Sequence, residues 1–157
     1  MNNFDICLVR ASLADAKKIW NMQKEAFAEL FEKYQDFETS PAAEPLEKTI
    51  FRLKQPETYF YMIQLDKQTV GAVRVVDSGN NNRKRISPMF ILPRFRNMGI
   101  AQKAIILAEK IHGSKNWELD TIIQEKGNCH LYEKMGYRTT GKTKIINDKL
   151  TLVFYQK

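Results

Sequence analysis

Pro93-Arg94-Phe95-Arg96-Asn97-Met98-Gly99-Ile100-Ala101-Gln102-Lys103-Ala104 joins two segments of opposite character. Before it runs Ile86-Ser87-Pro88-Met89-Phe90-Ile91-Leu92, an extended, mostly apolar stretch. After it, Ile100, Ala104, Leu107, Ala108 and Ile111 recur at helical spacing. The run therefore reads as a strand-to-helix junction. Small residues at a helix start let a ligand approach the backbone closely. The free N–H groups of a first helical turn, with the positive end of the helix dipole, favour phosphate. Arg94, Arg96 and Lys103 add positive charge. The junction is a candidate pyrophosphate seat.

Working outward, Ile6 to Arg10 reads as a first strand. Ser12, with Asp15 three residues on, resembles a capping box. A long helix follows, carrying Ile19, Gln23, Phe27, Leu30 and Tyr34 on one face. Phe37 to Pro45 is a loop with two prolines, and Leu46 to Lys54 a second helix. Tyr59 to Leu65 and Thr69 to Val76 are rich in aromatic and β-branched residues, with a turn at Asp66-Lys67-Gln68 between them. Pro88 sits inside the next strand, where it cannot donate to a ladder, so a bulge or sheet edge is expected. Beyond the junction come a strand at Trp117–Gln124, a short helix at Asn128–Met135, and an antiparallel pair at Tyr137–Thr140 and Leu150–Tyr155. The order is that of a mixed α+β chain.

The chain has 157 residues and 43% hydrophobic content, which suits one domain over residues 1–157. The formal charge is +7. The basic segments Arg83-Lys84-Arg85 and Lys142/Lys144/Lys149 lack interleaved aromatics and any reader motif, so no nucleic-acid partner is expected. No apolar run approaches the length of about 20 residues that spans a bilayer, so no membrane partner is expected either. Met1-Asn2-Asn3-Phe4-Asp5 lacks the regions of a secretory leader. Cys7 and Cys129 form no disulfide framework, which points to a reducing cytoplasm. Two cysteines and two histidines show no zinc spacing, and no metal is expected. Cys129 and His130 are helical neighbours and point away from each other, which argues against a nucleophilic dyad.

The Arg96-x-x-Gly99-x-Ala101 turn resembles the acyl-CoA-binding motif of the GNAT superfamily of N-acetyltransferases, Gln/Arg-x-x-Gly-x-Gly/Ala. Asn128-Cys129-His130-Leu131-Tyr132-Glu133-Lys134-Met135-Gly136-Tyr137 resembles the family's Asn-x-x-x-Tyr-x-Lys-x-Gly-Phe/Tyr segment. The order of elements agrees over nearly the whole chain. The resemblance implies a mixed, mostly antiparallel sheet of about seven strands, with about four helices on its faces and the fourth and fifth strands splayed into a V-shaped slot. It implies acetyl-CoA as co-substrate and a primary amine as acceptor. It places the pyrophosphate on amides from Met98 to Gln102, the pantetheine along the backbone of Phe90, Ile91 and Leu92, and further donor contacts at Arg94, Arg96, Asn97, Lys103 and Asn128. Asn97 and Asn128 are also candidate helix caps. Tyr132 would be the general acid beside the CoA sulfur. A catalytically inactive CoA-binding sensor or scaffold is the alternative reading.

The base has no such marker. Glu125, just past the Trp117–Gln124 strand, and Glu29 and Glu25 on the first helix are the candidates. Residues 25–47 hold seven acids against Lys33 alone. Glu25, Glu29, Glu32 and Asp36 form a stripe with two readings: a wall that attracts a cationic acceptor, or a solvated helix face. Monomer and homodimer both remain open.

Overall fold

A computed structural model describes residues 5–157; residues 1–4, read above for a leader, lie outside it. The strands are β1 (Ile6–Arg10), β2 (Thr58–Leu65), β3 (Gln68–Val76), β4 (Lys84–Ile91), β5 (Trp117–Ile122), β6 (Arg138–Ile145) and β7 (Thr151–Gln156). The helices are α1 (Ala16–Tyr34), α2 (Leu46–Lys54), α3 (Ile100–His112) and α4 (Lys126–Lys134). All seven strands form one sheet in the order β1-β2-β3-β4-β5-β7-β6. Every pairing is antiparallel except β4 with β5.

The near-continuous apolar runs of β2 and β3 are explained by burial on both faces. Phe60, Met62, Ala72 and Phe90 pack with Ile19, Met22 and Ala26 beneath α1. Their alternates Tyr61, Ile63, Val73, Val75 and Ile91 pack with Ile100, Ala104, Ile105 and Ala108 of α3. Side-chain period 2 thus feeds two cores from the same strands. His112, at the end of α3, is buried between the Tyr61 hydroxyl at 2.8 Å and the Asp77 carboxylate at 2.8 Å.

Local signals explain the boundaries. Asp15 accepts from the Ser12 N–H at 2.9 Å, closing the turn that leads into α1. Asp66 and Lys67 both have positive φ (49° and 74°), the geometry of a two-residue hairpin turn that matches strand twist. β6 runs through Ile145, well past the expected Thr140; Gly141 (φ 85°) lies where its register with β7 shifts, so the ladder resumes beyond the irregularity.

The expected bulge at Pro88 is present. Val73 pairs with Met89 and Val75 with Ile86, so Ser87 and Pro88 together face Arg74. The Ser87–Pro88 bond is cis. Arg74 donates to the Ser87 carbonyl at 2.6 Å and to Gln55 Oε1 at 3.0 Å, supplying that carbonyl with a charged partner.

Candidate active site

The strands β4 and β5 pair only at Lys84↔Trp117 and Arg85↔Glu118. An Arg85–Asp120 salt bridge lies just past the last pair. Beyond it the two strands run unpaired to Ile91 and Ile122, while β5 keeps its other edge on β7 from Glu118 to Ile122. The sheet therefore opens as a V whose walls carry unspent backbone groups.

Which groups those are follows from strand alternation. The Leu92 N–H donates to the Val70 carbonyl at 2.8 Å, and Ala72 pairs with Phe90. Antiparallel ladders alternate, so Phe90 and Leu92 turn their polar groups to β3, and Met89 and Ile91 turn theirs to the slot. This corrects the expectation that Phe90 and Leu92 offer their backbone there; of the three expected positions Ile91 keeps that orientation. The Phe90 side chain is buried in the α1 core.

At the wide end of β4 the chain turns through Pro93–Phe95 into α3. Asn97 (φ 63°) and Gly99 (φ 80°) are both left-handed. Gly99, not Asn97, holds the cap position of α3, and no side chain caps it. The first return bond of the helix is Lys103 N–H to the Gly99 carbonyl at 3.3 Å. The amides of Gly99 to Gln102 are thus the unpaired donors of a helix start. A Cβ at Gly99 would meet nothing within 4 Å, so the approach to these amides is open.

The arginines of this turn face α1. Arg96 donates through Nε to the Ile91 carbonyl at 3.2 Å and through Nη2 to the Ala26 carbonyl at 2.5 Å, with Glu29 3.7 Å from Nη1. Arg94 pairs with Glu25 at 3.2 Å. The Arg96 fork therefore ties the turn to α1. Two members of the acidic stripe are paired by the same contacts. Asp36 is not in the stripe at all: α1 ends at Tyr34, and buried Asp36 accepts from the N–H groups of Glu38 and Thr39.

On the opposite arm, α4 starts after Glu125, which occupies its cap position; Asn128 is exposed in the first turn and caps nothing. Tyr132 is partly buried against Tyr137 (ring centroids 5.9 Å apart) and Tyr155 (6.4 Å). Burial, with the charges of Asp120 and Cys129, pushes its phenol up to about 12. Its hydroxyl has no hydrogen bond among the described residues.

Glu125 is held from α1. Its Oε2 accepts from the Tyr34 hydroxyl and from Lys33 Nζ at 2.9 Å. Burial raises its carboxyl, but the Tyr34 and Lys33 bonds and the lysine charge outweigh burial and leave it below the ordinary range. Asn147, in the β6–β7 loop, donates to the Tyr34 carbonyl at 3.0 Å. The sequence does not mark Tyr34 and Lys33 as partners of Glu125, because Tyr34 lies on the apolar stripe of α1 and Lys33 is one basic residue among acids. Glu29 is largely exposed on α1.

Among the described residues no group of His, Cys, Asp and Glu side chains could hold a metal ion. No described helix is long and apolar enough to cross a membrane.

The sequence profile of the acetyltransferase (GNAT) family matches residues 17–137. The chain belongs to the GNAT family. Its fold is that of solved GNAT acetyltransferases. The microcin C7 self-immunity acetyltransferase MccE, solved with acetyl-CoA and AMP, is 16% identical with a TM-score of 0.73, over 99% of this chain and 93% of that one. Spermidine N-acetyltransferase from Vibrio cholerae, solved with CoA and spermine, is 17% identical with a TM-score of 0.74, over 96% and 93%. The PaiA N-acetyltransferase from Thermoplasma acidophilum, solved with coenzyme A, is 14% identical with a TM-score of 0.72, over 98% and 99%. No curated protein matches the sequence.

Proposed function

We propose that this GNAT protein is an acetyl-CoA-dependent N-acetyltransferase that passes the acetyl group directly to a primary amine in a ternary complex. The observation that carries the reading is the opening of the β4–β5 slot beside the unpaired amides of Gly99 to Gln102. A ligand with a pyrophosphate at one end and an extended amide arm at the other matches both. The amides take the phosphates. The slot-facing groups of Met89 and the N–H of Ile91 pair with the arm as an added strand would, while the Ile91 carbonyl is held by Arg96.

The acceptor must attack as a neutral amine, because an ammonium has no lone pair. Its nitrogen bonds to the thioester carbonyl carbon, the C–S bond breaks, and the proton lost by nitrogen ends on sulfur. Tyr132 serves the leaving group. A phenol at about 12 is a weaker acid than an alkyl thiol at about 8.5, so full transfer to the thiolate is uphill. Tyr132 therefore acts by donating a hydrogen bond as charge grows on sulfur, and its raised pKa keeps it protonated throughout the physiological range.

Glu29 and Glu125 are the carboxylates at hand for the amine proton. Glu29 lies in solvent beside Arg96. Glu125 is held below the ordinary carboxylate range and is not tuned as a strong base. The ammonium's first proton leaves through water near them before attack; the second, lost after the C–N bond forms, is the one that ends on sulfur. Cys7 and Cys129 are both free, which fits a cytoplasmic setting. Thiol release from acetyl-CoA across a panel of primary amines tests the proposal. Amine-dependent release is expected; tight CoA binding without turnover on any amine would make the protein a CoA-binding module instead.

A further inference from the structure

We infer that the Glu125 carboxylate is a seat for the second, non-reacting ammonium of a cationic acceptor, and that Lys33 Nζ occupies that seat until the acceptor displaces it. The inference deepens the acetyltransferase reading and rests on it for the word acceptor. Its basis is the uneven use of the two carboxylate oxygens. Tyr34 and Lys33 both bond to Oε2. Oε1 has no partner among the described residues and is not sealed from solvent.

The two partners of Oε2 differ in how firmly they are held. Tyr34 is 4% exposed, and its own carbonyl is bonded by Asn147, so its hydroxyl is a fixed donor. The Lys33 side chain is 59% exposed and reaches Glu125 as a flexible primary ammonium, the chemical group that a polyamine would offer. Three acids of the same charged region are engaged elsewhere. Glu25 pairs with Arg94, Glu29 lies beside Arg96, and Glu44 is held by Arg52 at 2.8 Å and Lys48 at 3.1 Å. Glu125 combines a fixed orientation, a carboxylate that stays ionised and one open oxygen. It also follows β5 directly, on the arm of the V opposite the phosphate turn. An incoming ammonium exchanges one cation for another, so the seat selects positive charge without leaving a carboxylate bare.

Spermidine titrated calorimetrically into the CoA-saturated protein is the test, with benzylamine as the uncharged-tail control. Lys33→Met removes the occupant and is expected to tighten spermidine binding severalfold. Glu125→Gln removes the charge and is expected to weaken it about tenfold, the scale of losing one hydrogen-bonded ion pair. In the Glu125→Gln background Lys33→Met has no further effect, and benzylamine responds to neither change. Steady-state turnover supplies the second readout: Glu125→Gln raises the KM for spermidine about tenfold, a larger change than it makes in kcat, since a positioning charge adds uniform binding. Three results would overturn the inference: undetectable spermidine binding, an affinity indifferent to Lys33→Met, or a collapse of kcat with KM unmoved, which belongs to a base. The acetyltransferase reading fails by a separate result, the absence of thiol release with every amine, while the binding titration still reports on the seat.

Discussion

The Tyr34 hydroxyl donates to the Glu125 carboxylate, joining the last residue of α1 to the residue that caps α4. One hydrogen bond thus links the helix layered on β4 to the loop that follows β5, on the far arm of the V. The bond depresses the Glu125 carboxyl, so the stability it adds is present above the unfolded value near 4.5 and is lost as pH falls through the folded value. Tyr34→Phe is expected to lower stability by about 1–2 kcal/mol at neutral pH, the worth of a hydrogen bond to a charged group after partial exposure is allowed for. Thermal melts from pH 3 to 8 should show the two proteins diverging above about pH 4.5 and converging below it. A constant gap across that range would show that the tyrosine acts only through packing.

Tyr132→Phe tests whether donor binding and chemistry separate. Its ring packs against Tyr137 and Tyr155, and Phe preserves those contacts, so Tyr132→Phe should fold normally. The KM for acetyl-CoA is expected to stay within about twofold while kcat falls roughly a hundredfold, a typical loss for a positioned proton donor. The wild-type rate should show no falling limb from this group below about pH 11, because the phenol titrates near 12. An unchanged kcat for the Phe variant would remove Tyr132 from the chemistry.

Gly99 tests the phosphate seat. Its φ of 80° is strained for a β-branched residue, and the space around its missing Cβ is open, so a substitution acts through the backbone and not through a clash. Gly99→Val should turn the first amides of α3 away from their common target. Strain of about 1–3 kcal/mol corresponds to a rise of roughly tenfold or more in acetyl-CoA KM. Thiol-release kinetics at saturating amine check this, with kcat expected to stay within about threefold.

The backbone features of the turn before α3 are legible because they are local. Arg96 to Ala101 is contiguous, Gly99 marks a positive φ, and Pro88 marks a bulge; each signal rests on backbone chemistry that short sequence encodes. The proposed acceptor side draws on α1, the β5–α4 connection and the β6–β7 loop, which meet only through tertiary packing. Tyr34 looked like another apolar-stripe residue, and nothing local pairs it with a residue 91 positions away. Counting charges along α1 misses two ion pairs for the same reason. Glu25 and Glu29 lie near each other in sequence, but their partners Arg94 and Arg96 belong to the turn before α3. Strand parity was also out of reach: which of Phe90, Ile91 and Leu92 faces the slot depends on the register with β3.

Gly71 fixes that register, and it supplies a stability prediction independent of any activity. It pairs with Ile91, and a Cβ there would lie 2.1 Å from the Phe90 carbonyl oxygen, a backbone atom with no room to retreat. Gly71→Ala must therefore push β3 and β4 apart beside the slot, at a cost of about 1–3 kcal/mol or more. Gly127 is the matched control. It lies in the first turn of α4 with nothing within 4 Å of its missing Cβ and no positive φ. Gly127→Ala is expected to stabilise by about 0.4–1 kcal/mol by restricting the unfolded chain. Urea denaturation of both variants decides the matter. Equal midpoints would mean that β3 and β4 tolerate separation at Phe90, and the wall of the slot would then be softer than its ladder implies.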